Sequence, residues 1–386
     1  MQTQKLTAEK VKDKVVAIRV DFNVPLKNGK VSENTRIVES IPTLKFLIEH
    51  GAKRIHILSH LGRPKGLNDP QLSLALVLPE LEKQLGETVE FRGDFTPGKS
   101  MIQLHENVRF YEGEKKNDPA FIQDLLKLEA EVFINDGFAV SHRGHASVIG
   151  LASYLPAYPG FLLQKEIDHL TPFLSHKKME GLTVVVGGAK IETKVKVLEH
   201  FAKTADNILV GGALANTFLA AQGHKVGASF YEDDQMEVAQ RILKSAEAHG
   251  TTIGLPVDVT CGEAMDSTDT QTVMLEQVSD DMRIFDIGPK TVKNYEAVLN
   301  QSQTIIWNGP LGCFEYPAFE AGTKNVLKTI AALKSCQTIL GGGDTLDALK
   351  KFGVSKSAFT HVSTGGGAML EFLEGKELPG IEVLKS

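Results

Sequence analysis

The stretch Thr183-Val-Val-Val-Gly-Gly-Ala-Lys190 passes from a short apolar run of β-branched residues into a pair of glycines. A run of this kind, bounded by glycine, favours a buried strand. The residues that follow, Lys190–Ala202, have the apolar spacing of an amphipathic helix. Strand, glycine turn and helix in this order are typical of a βαβ unit.

Similar apolar runs recur along the whole chain, separated by stretches with helical spacing. The other predicted strands are Val15–Val20, Arg54–Ser59, Val89–Phe91, Met101–His105, Val132–Asn135, Asn207–Val210, Thr252–Leu255, Arg283–Ile287, Thr304–Trp307, Thr338–Leu340 and Phe359–Val362. The other predicted helices include Thr35–His50, Ser73–Leu85 and Pro119–Leu128. This alternation predicts an α/β fold with parallel sheets covered by helices on both faces.

The size and composition of the chain limit the class of protein. Its 386 residues correspond to two domains at roughly 150 residues each. A hydrophobic content of 42% and a charged content of 23% are ordinary for a globular protein and exclude disordered and fibrous classes. A net charge of −6 implies no general surface for polyanions, so nucleic acid is not an expected partner.

The sequence also bears on the compartment. The polar start MQTQKLTAEKVKDK has no apolar core, so no signal peptide is predicted. No apolar run approaches the roughly 20 residues that a membrane-spanning helix needs, so no membrane partner is expected. The three cysteines, Cys261, Cys313 and Cys336, have neither disulfide nor metal-ligand spacing. A reducing compartment, the cytoplasm, is therefore expected.

The residues that follow the predicted strands differ between the two halves of the chain. Parallel sheets bind ligands outside the carboxyl ends of their strands. In the first half these ends are polar or charged: Asp21-Phe22-Asn23, Ser59-His60-Leu61-Gly62-Arg63 and Asn135-Asp-Gly137. In the second half they are mostly glycine: Gly187-Gly188-Ala189-Lys190, Gly211-Gly212, Asn308-Gly-Pro310 and Gly341-Gly342-Gly343-Asp344-Thr345. The simplest interpretation is one ligand for each half.

Arginine is concentrated in the first half, where seven of nine precede residue 170. Five of the seven lie in or beside predicted loops at strand ends: Arg19, Arg36, Arg63, Arg109 and Arg143. Arginine binds carboxylates and phosphates through two parallel hydrogen bonds. Together with His60 and His142, these arginines would suit a small, strongly anionic substrate. The alternative is that they are solvated surface charges, as we expect for Arg54 and Arg92.

The glycine loops of the second half indicate phosphate binding, because a helix N-terminus favours negative charge. Lys190 and Lys194 are four residues apart and would share one face of the predicted helix. The alternative for this loop is a tight turn with two exposed lysines. Asp344 could be a ligand of the Mg²⁺ that accompanies a nucleotide, or an N-cap. Thr364-Gly-Gly-Gly367 is a further glycine loop that opens a helix.

A different segment, Gly93-Asp-Phe-Thr-Pro-Gly-Lys-Ser100, satisfies the P-loop pattern letter for letter. A P-loop must open a helix, whereas the next residues, Met101–His105, have the composition of a strand. Pro97 also favours a plain turn. We therefore predict that this segment binds no phosphate.

The motifs together resemble those of the phosphoglycerate kinase family over essentially the full chain. The matching segments are Arg19-Val-Asp-Phe-Asn-Val-Pro25, Ser59-His-Leu-Gly-Arg-Pro64, Glu106-Asn-Val-Arg-Phe110, Asp136-Gly-Phe, His142-Arg143, Gly187-Gly-Ala-Lys190 with Lys194, Asp286-Ile-Gly-Pro289, Trp307-Asn-Gly-Pro310 through Phe314-Glu315, Gly341-Gly-Gly-Asp-Thr345 and His361-Val-Ser-Thr-Gly-Gly-Gly-Ala368. Two departures stand out: the chain is shorter than usual between Phe91 and Glu106, and Cys313 replaces a small aliphatic residue.

The resemblance implies two Rossmann-like lobes, each a parallel sheet flanked by helices, that face each other across a cleft. Residues 1–160 would form a 3-phosphoglycerate-binding domain, and 161–175 an interdomain helix. Residues 176–367 would form a nucleotide-binding domain, and 368–386 would return to the first domain.

The resemblance also implies the site residues. Substrate-binding positions would be Asp21, Phe22, Asn23, Arg36, His60, Leu61, Gly62, Arg63, Arg109, His142 and Arg143. Nucleotide-binding positions would be Gly187, Gly188, Ala189, Lys190, Lys194, Gly212, Asn308, Pro310, Glu315, Gly341, Gly342, Gly343, Asp344 and Thr345. The catalytic positions would be Arg36, Lys190, Gly343 and Gly366, with Asp344 holding the Mg²⁺ of MgATP or MgADP.

The implied reaction is phosphoryl transfer between ATP and the carboxylate of 3-phosphoglycerate, which gives ADP and 1,3-bisphosphoglycerate. These four molecules would be the partners of a monomeric enzyme. A nucleotide-dependent dehydrogenase is the main alternative, but no GxGxxG occurs. A two-lobed binding protein without catalysis would explain the arginines but not the glycine loops.

Overall fold

The fold is taken from a computed structural model that describes residues 3–65 and 69–385. The chain divides into two compact units. Unit 1 comprises Met1–Thr171 and Gly375–Ser386, and unit 2 comprises Pro172–Glu374. In the parts of the chain that the structure describes, no helix combines the length and apolar character that crossing a membrane requires.

Unit 1 is built on a six-stranded parallel sheet with the strand order β5-β6-β4-β1-β7-β8. The strands are β1 Val15–Arg19, β4 Arg54–Leu58, β5 Glu90–Arg92, β6 Ile102–His105, β7 Val132–Asn135 and β8 Ala157–Pro159. Every residue of the central strands β1 and β7 is buried. The sequences of such strands are almost continuously apolar because helices cover both faces of the sheet.

The helices of unit 1 are α1 Ala8–Val11, α2 Thr35–Glu49, α3 Leu78–Leu85, α4 Glu112–Lys116, α5 Pro119–Leu126, α6 Phe161–Leu170 and, after the return of the chain from unit 2, α14 Pro379–Glu382. The returning segment is hydrogen-bonded beside β7. Asn135 Nδ2 donates to the carbonyl of Gly380 at 2.9 Å, and the Gly380 amide donates to the Ser141 carbonyl at 2.8 Å. A short hairpin, β2 Leu26–Lys27 and β3 Lys30–Val31, turns at Asn28-Gly29, both with positive φ.

Unit 2 contains a second six-stranded parallel sheet, in the order β11-β10-β9-β15-β16-β17. Its strands are β9 Leu182–Val186, β10 Asn207–Val210, β11 Thr252–Gly254, β15 Thr304–Asn308, β16 Gln337–Gly341 and β17 His361–Val362. Its helices are α7 Val195–Thr204, α8 Ala213–Ala221, α9 Met236–Ala248, α10 Pro289–Leu299, α11 Ala321–Ala332, α12 Gly343–Lys351 and α13 Gly366–Leu373. The predicted α/β class with parallel sheets is confirmed.

A smaller antiparallel sheet in unit 2 was not predicted. It has the order β13-β12-β14, from β12 Asp258–Gly262, β13 Thr270–Met274 and β14 Arg283–Ile287. The sequence indicated β14 but placed it in a parallel sheet, which is wrong. Only one face of this sheet is buried, against Leu219 and Val226, so β12 and β13 lack the continuous apolar run of a buried parallel strand.

Candidate functional site

In unit 1, two polar loops that follow neighbouring strands of the sheet are hydrogen-bonded to each other. The amide of Phe22, after β1, donates to Ser59 Oγ, after β4, at 2.8 Å. The amide of Gly62 donates to Asn23 Oδ1 at 2.7 Å. These contacts fix the backbone of both loops at the carboxyl edge of the sheet, where parallel sheets bind ligands.

Arg36, in the first turn of α2, is held by the loop after β1. Its Nη1 atom donates to Asp21 Oδ2 at 2.8 Å and to the carbonyl of Asn23 at 3.0 Å. Asp21 is buried, whereas the Arg36 side chain is 31% exposed. One Nη atom is thus engaged by the protein, and the exposed part of the guanidinium remains accessible to an anion. Arg36 therefore lies in the site rather than on an unrelated surface.

His60 lies among cationic side chains and is itself only 2% exposed. Arg19 Nη2 approaches His60 Nδ1 at 3.1 Å. Burial holds the pKa of His60 well below its usual value, and the charges of Arg19, Arg109, Arg36 and His145 lower it further. Several positive charges therefore converge on one ring, as a site for a small polyanion requires.

Arg109 is attached to the same edge from a neighbouring segment. Its Nη1 atom donates to the carbonyl of Gly62 at 2.9 Å. Burial lowers the pKa of Arg109 to about 10, and the charge of Arg19 and, more weakly, that of Arg63 act in the same direction. Asn107 Nδ2 donates to the carbonyl of Leu61 at 2.7 Å and so fixes the preceding part of the loop.

A buried acidic residue that sequence analysis missed balances this charge. Glu114 in α4 is fully buried, and its carboxylate accepts hydrogen bonds from the Ser147 amide and hydroxyl. Ser147 Oγ in turn accepts from Arg19 Nε at 2.8 Å. Burial alone would raise the pKa of Glu114, but contacts with His145, Arg19 and Ser147 outweigh burial and lower it. Nothing in the local sequence distinguishes Glu114 from the exposed acids beside it.

The structure thus brings together most of the predicted substrate residues of unit 1. Phe22 and Leu61 are buried beneath the loops, and Arg63 is exposed. His142 and Arg143 lie on the turn after the 3-10 helix Phe138–Val140, where Arg143 is exposed. The functional roles of these residues remain predictions.

In unit 2, the glycine loops meet at the carboxyl edge of the sheet. The Gly187 amide donates to the Asn308 carbonyl at 3.0 Å, and the Gly188 amide donates to the Pro310 carbonyl at 2.8 Å. A Cβ atom on Gly187 would overlap the Pro310 carbonyl. Gly212, with a φ of +67°, would place a Cβ atom 2.7 Å from the Gly188 carbonyl. Only glycine permits this approach of three loops.

The loop Gly187–Lys190 differs from the prediction, because it does not lead directly into a helix. Helix α7 begins at Val195, and Lys194 is its N-cap residue. Ala189 and Lys190 are exposed in the turn that precedes the helix, whereas Lys194 is buried. The two lysines do not share a helix face, and that prediction is wrong. The Ile191 amide in this turn donates to Glu232.

Lys194 is directed toward the glycine loops, since a Cβ atom on Gly188 would lie 3.1 Å from its Nζ. Burial lowers the pKa of Lys194, while the nearby charges of Asp344 and Glu232 raise it. The two carboxylates favour the charged form of the buried ammonium group, and a charged ammonium group can donate hydrogen bonds to a phosphate.

The loop Gly341–Thr345 opens α12, as predicted, with Gly342 as the N-cap residue. Thr345 Oγ1 accepts from the Gly309 amide at 2.9 Å, and Asn308 Nδ2 donates to the Gly341 carbonyl at 3.0 Å. Around Gly343 there is open space, and Asp344 is exposed.

The loop before α13 and the residue Glu315 are two further predicted parts of the nucleotide site in unit 2. The loop before α13 approaches closely, because a Cβ atom on Gly366 would lie 2.7 Å from the Gly342 Cα. Glu315 is exposed on the segment after β15, and Lys351 Nζ donates to its carbonyl at 3.1 Å.

In the P-loop-like segment of unit 1, two backbone amides bind a carboxylate of the protein itself. The amides of Lys99 and Ser100 donate to Glu90 Oε2 at 3.0 and 2.8 Å. The segment is followed by strand β6 rather than by a helix, as predicted. The backbone donors that a phosphate would need are therefore occupied by a side chain.

Comparison with known proteins gives consistent matches. The sequence model of the family described as phosphoglycerate kinase matches residues 6–376. Similar curated proteins named phosphoglycerate kinase include one from Thermosipho africanus, 44% identical over 98% of this chain and 97% of that protein, and one from Moorella thermoacetica, 43% identical over 96% of each. The fold is similar to the phosphoglycerate kinase structures from Coxiella burnetii (TM-score 0.89, 38% identity, 99% of each chain) and Pyrococcus horikoshii (TM-score 0.82, 32% identity, 97% of this chain and 96% of that one).

Proposed function

The chain belongs to the phosphoglycerate kinase family, and we propose that it divides the two substrates of that reaction between its two units. The reaction is reversible phosphoryl transfer between ATP and the carboxylate of 3-phosphoglycerate, which gives ADP and 1,3-bisphosphoglycerate. In glycolysis it runs in the direction that forms ATP. Membership of a kinase family also decides against the dehydrogenase and the non-catalytic binding protein.

Unit 1 binds 3-phosphoglycerate in this proposal. The observation that supports this assignment is the convergence of Arg19, Arg36 and Arg109 on His60. Such a cluster suits a small molecule that carries both a phosphate and a carboxylate. The polar loop residues around it, Asp21 and Asn23, orient Arg36 and offer further hydrogen bonds. Arg63, His142 and Arg143 complete the set.

The acceptor is a carboxylate, which has a pKa of about 3.5 and is ionised at neutral pH. Transfer to it requires no general base, so His60 can remain neutral without loss of function. Catalysis depends on positioning and on charge stabilisation of the transferred group. Arg36 holds the attacking carboxylate, and Lys190 follows the transferring phosphoryl group. The exposed position of Lys190 leaves it free to do so.

Unit 2 binds the nucleotide. The close-packed glycine loops bring the N-termini of α12 and α13 to the sheet edge, and helix N-termini favour negative charge. Gly343 and Gly366 contribute N–H donors there, and Lys194 binds nucleotide phosphate. The exposed Glu315 binds the ribose hydroxyls. The roles of Gly187, Gly188, Ala189, Gly212, Asn308, Pro310, Gly341, Gly342 and Thr345 are to shape and support this edge.

The residues present are compatible with Mg²⁺ that arrives with the nucleotide. Among residues 3–65 and 69–385 no group of three potential ligand side chains occurs. Mg²⁺ in nucleotide sites is held by one or two carboxylates together with phosphates and water. Asp344, exposed in the first turn of α12, would supply that carboxylate. When bound, the ion would neutralise charge on the phosphates.

Transfer requires the two bound substrates to meet in line, so we further propose that the units move toward each other during catalysis. Closure would also exclude water, which would otherwise hydrolyse the nucleotide or the product. We propose that the enzyme acts as a monomer in the cytoplasm.

A coupled assay of ADP formation tests the proposed function. ATP and Mg²⁺ with 3-phosphoglycerate should give sustained turnover. Glycerol 3-phosphate, which keeps the phosphate but has no carboxylate, is the matched control and should give none. Equal turnover with both compounds would contradict the carboxylate acceptor, and a rate unaffected by 3-phosphoglycerate would contradict the substrate itself.

A further inference from the structure

Asp286 is a buried carboxyl group in unit 2 that the proposed mechanism does not use. It lies near the end of β14 and is 3% exposed. Its Oδ2 atom accepts from the Gly322 amide, at the start of α11, at 2.7 Å. Its Oδ1 atom accepts from the Ile287 amide at 2.9 Å. The carboxyl group therefore links the end of one strand to the beginning of a helix that is distant in sequence.

The same carboxyl group contacts both ends of one segment, residues 312–322. A Cβ atom on Gly312 or on Gly322 would overlap Asp286 Oδ1. The amide of Cys313 donates to the carbonyl of Phe285, the residue before Asp286, at 2.8 Å. The segment thus leaves and rejoins the core of the unit at Asp286, and no larger residue fits at either glycine without moving the carboxyl group.

Glu315 lies on this segment, between the two points of attachment. Lys351 holds the middle of the segment through bonds to the carbonyls of Phe314, at 2.6 Å, and Glu315, at 3.1 Å. It also forms an ion pair with Glu320 at 3.0 Å. The exposed Glu315 carboxylate therefore depends for its position on a backbone that Asp286 binds at Gly322 and packs against at Gly312.

We propose that Asp286 is a positioning residue for nucleotide binding, which sets the segment 312–322 so that Glu315 meets the ribose. This inference rests on the proposed function, in which Glu315 binds the nucleotide. Removal of the carboxyl group leaves two amide donors without their acceptor and opens space between the two glycines. The segment then loses its hydrogen bond at Gly322 and its packing against the carboxyl group at Gly312, while the bond from the Cys313 amide to the Phe285 carbonyl remains. Glu315 is therefore held less firmly in place.

Burial of this group is unfavourable, which supports a functional role. Burial raises the pKa of Asp286 to about 8, although the Gly322 and Ile287 amides oppose the shift. Strongly shifted pKa values cluster at functional sites, so this setting agrees with the role that the hydrogen bonds indicate. Asp258 provides a comparison in the same unit. It is buried, and its carboxylate accepts hydrogen bonds from Lys290 and Thr291 at the start of α10 rather than from residues 312–322.

The test compares Asp286→Ala with Asp258→Ala in steady-state kinetics of the full-length enzyme. Asp286→Ala should raise the KM for MgATP by about tenfold or more, because misplacement of a binding group by about 1 Å is costly. Its KM for 3-phosphoglycerate should stay within about twofold. Asp258→Ala removes a comparable helix cap, so it should lower thermal stability but leave both KM values near those of the wild type.

Two further measurements test the positioning role of Asp286 independently of the kinetics of Asp286→Ala. Gly322→Ala retains the acid but displaces it, and should raise the KM for MgATP in the same way even if Asp286→Ala does not fold. Hydrogen exchange of the unliganded protein should show faster exchange of amides 313–322 in Asp286→Ala and not in Asp258→Ala.

The positioning role is wrong if Asp286→Ala and Gly322→Ala keep the KM for MgATP within about twofold of wild type while Glu315→Gln raises it. If Glu315→Gln itself has no effect, the ribose assignment fails instead, and hydrogen exchange alone then decides whether Asp286 orders the segment. A purely structural role would reduce the amount of active enzyme and leave both KM values unchanged.

Discussion

The Nη2 atom of Arg19 lies 3.1 Å from Nδ1 of His60 inside unit 1. A guanidinium can only donate, so Nδ1 must accept, and the ring is neutral with its proton on Nε2. The direction of the pKa shift agrees, because burial and the neighbouring arginine charges disfavour the protonated ring. The proposed anion site therefore contains a histidine that is neutral in this arrangement.

This relationship predicts the protonation behaviour of His60. Nitrogen-15 NMR of the imidazole should show the Nε2–H tautomer and no titration of this ring between pH 8 and 6. Its pKa is depressed, so the neutral form persists as the pH falls through the range in which a free histidine gains its proton. A His60 signal that titrates near pH 6.5 would contradict the geometry.

The second prediction concerns Arg36. Arg36→Ala should lower kcat on the order of 10²-fold, because the attacking carboxylate is misplaced in the transition state. Arg36→Lys should recover little of the loss, since an ammonium cannot reproduce the planar two-point contact. The Kd for MgADP, measured by calorimetry, should be nearly unchanged, because we propose that the nucleotide binds unit 2.

If Arg36 were only a surface charge at the start of α2, both substitutions would be almost silent. Retention of more than half of the wild-type kcat in Arg36→Ala would therefore refute its role. A weaker affinity for MgADP in the same variant would refute the division of substrates between the units.

The third prediction concerns the P-loop-like segment. Lys99→Ala should leave the KM for ATP within about twofold, because the amides of Lys99 and Ser100 are already bound to Glu90. Lys194→Ala is the comparison in unit 2 and should raise the same KM substantially. A tenfold rise with Lys99→Ala would mean that the segment binds phosphate after all.

The fourth prediction concerns acid stability. His56 Nδ1 and His105 Nε2 are 2.9 Å apart in the core of unit 1. Burial lowers the pKa of His56 to about 3 and that of His105 to about 4, from an ordinary value of 6.5. Both rings favour the neutral state in the fold, so their protonation in the unfolded chain should reduce stability as the pH falls from 6.5 toward 4.

At pH 5 the loss from this pair should be about 2 to 4 kcal/mol. Calorimetric melting temperatures at pH 7 and pH 5 measure it. The double variant His56→Gln, His105→Gln should show a smaller decrease between the two pH values than the wild type, whereas His249→Gln, at an exposed position, should not. An equal decrease in all three proteins would exclude the buried pair as the cause.

The parallel sheets could be predicted because buried strands such as Val132–Asn135 and Asn207–Val210 are continuous apolar runs with clear ends. The antiparallel strands Asp258–Gly262 and Thr270–Met274 could not be predicted from that signal, because only one face of their sheet is buried.

The predicted start of α7 is wrong for a different reason. The apolar spacing continues back through Ile191, but residues 191–194 form a turn whose Ile191 amide is bound by the distant Glu232 side chain, a contact that local spacing does not reveal.

The residues of the candidate site also fall into some that the sequence predicts and some that it does not. Residues next to strand ends, such as Asn23 and Asn308, could be predicted because topology alone brings strand ends to one edge. Glu114 and Asp286 act through contacts with residues far away in sequence, Ser147 and Gly322. No local pattern marks such residues, and the motif Asp286-Ile-Gly-Pro289 gives Asp286 no role by itself.

Direct observation of the product tests the central claim, that a phosphoryl group is transferred to a carboxylate. The enzyme is incubated with MgATP and 3-phosphoglycerate, and the mixture is followed by phosphorus-31 NMR with and without hydroxylamine. The account predicts an acyl phosphate resonance that appears with ADP, requires 3-phosphoglycerate, and is replaced by that of inorganic phosphate as hydroxylamine converts the acyl group to a hydroxamate. Without hydroxylamine, formation of ADP and inorganic phosphate alone would contradict it, as would a new phosphorylated product that resists hydroxylamine.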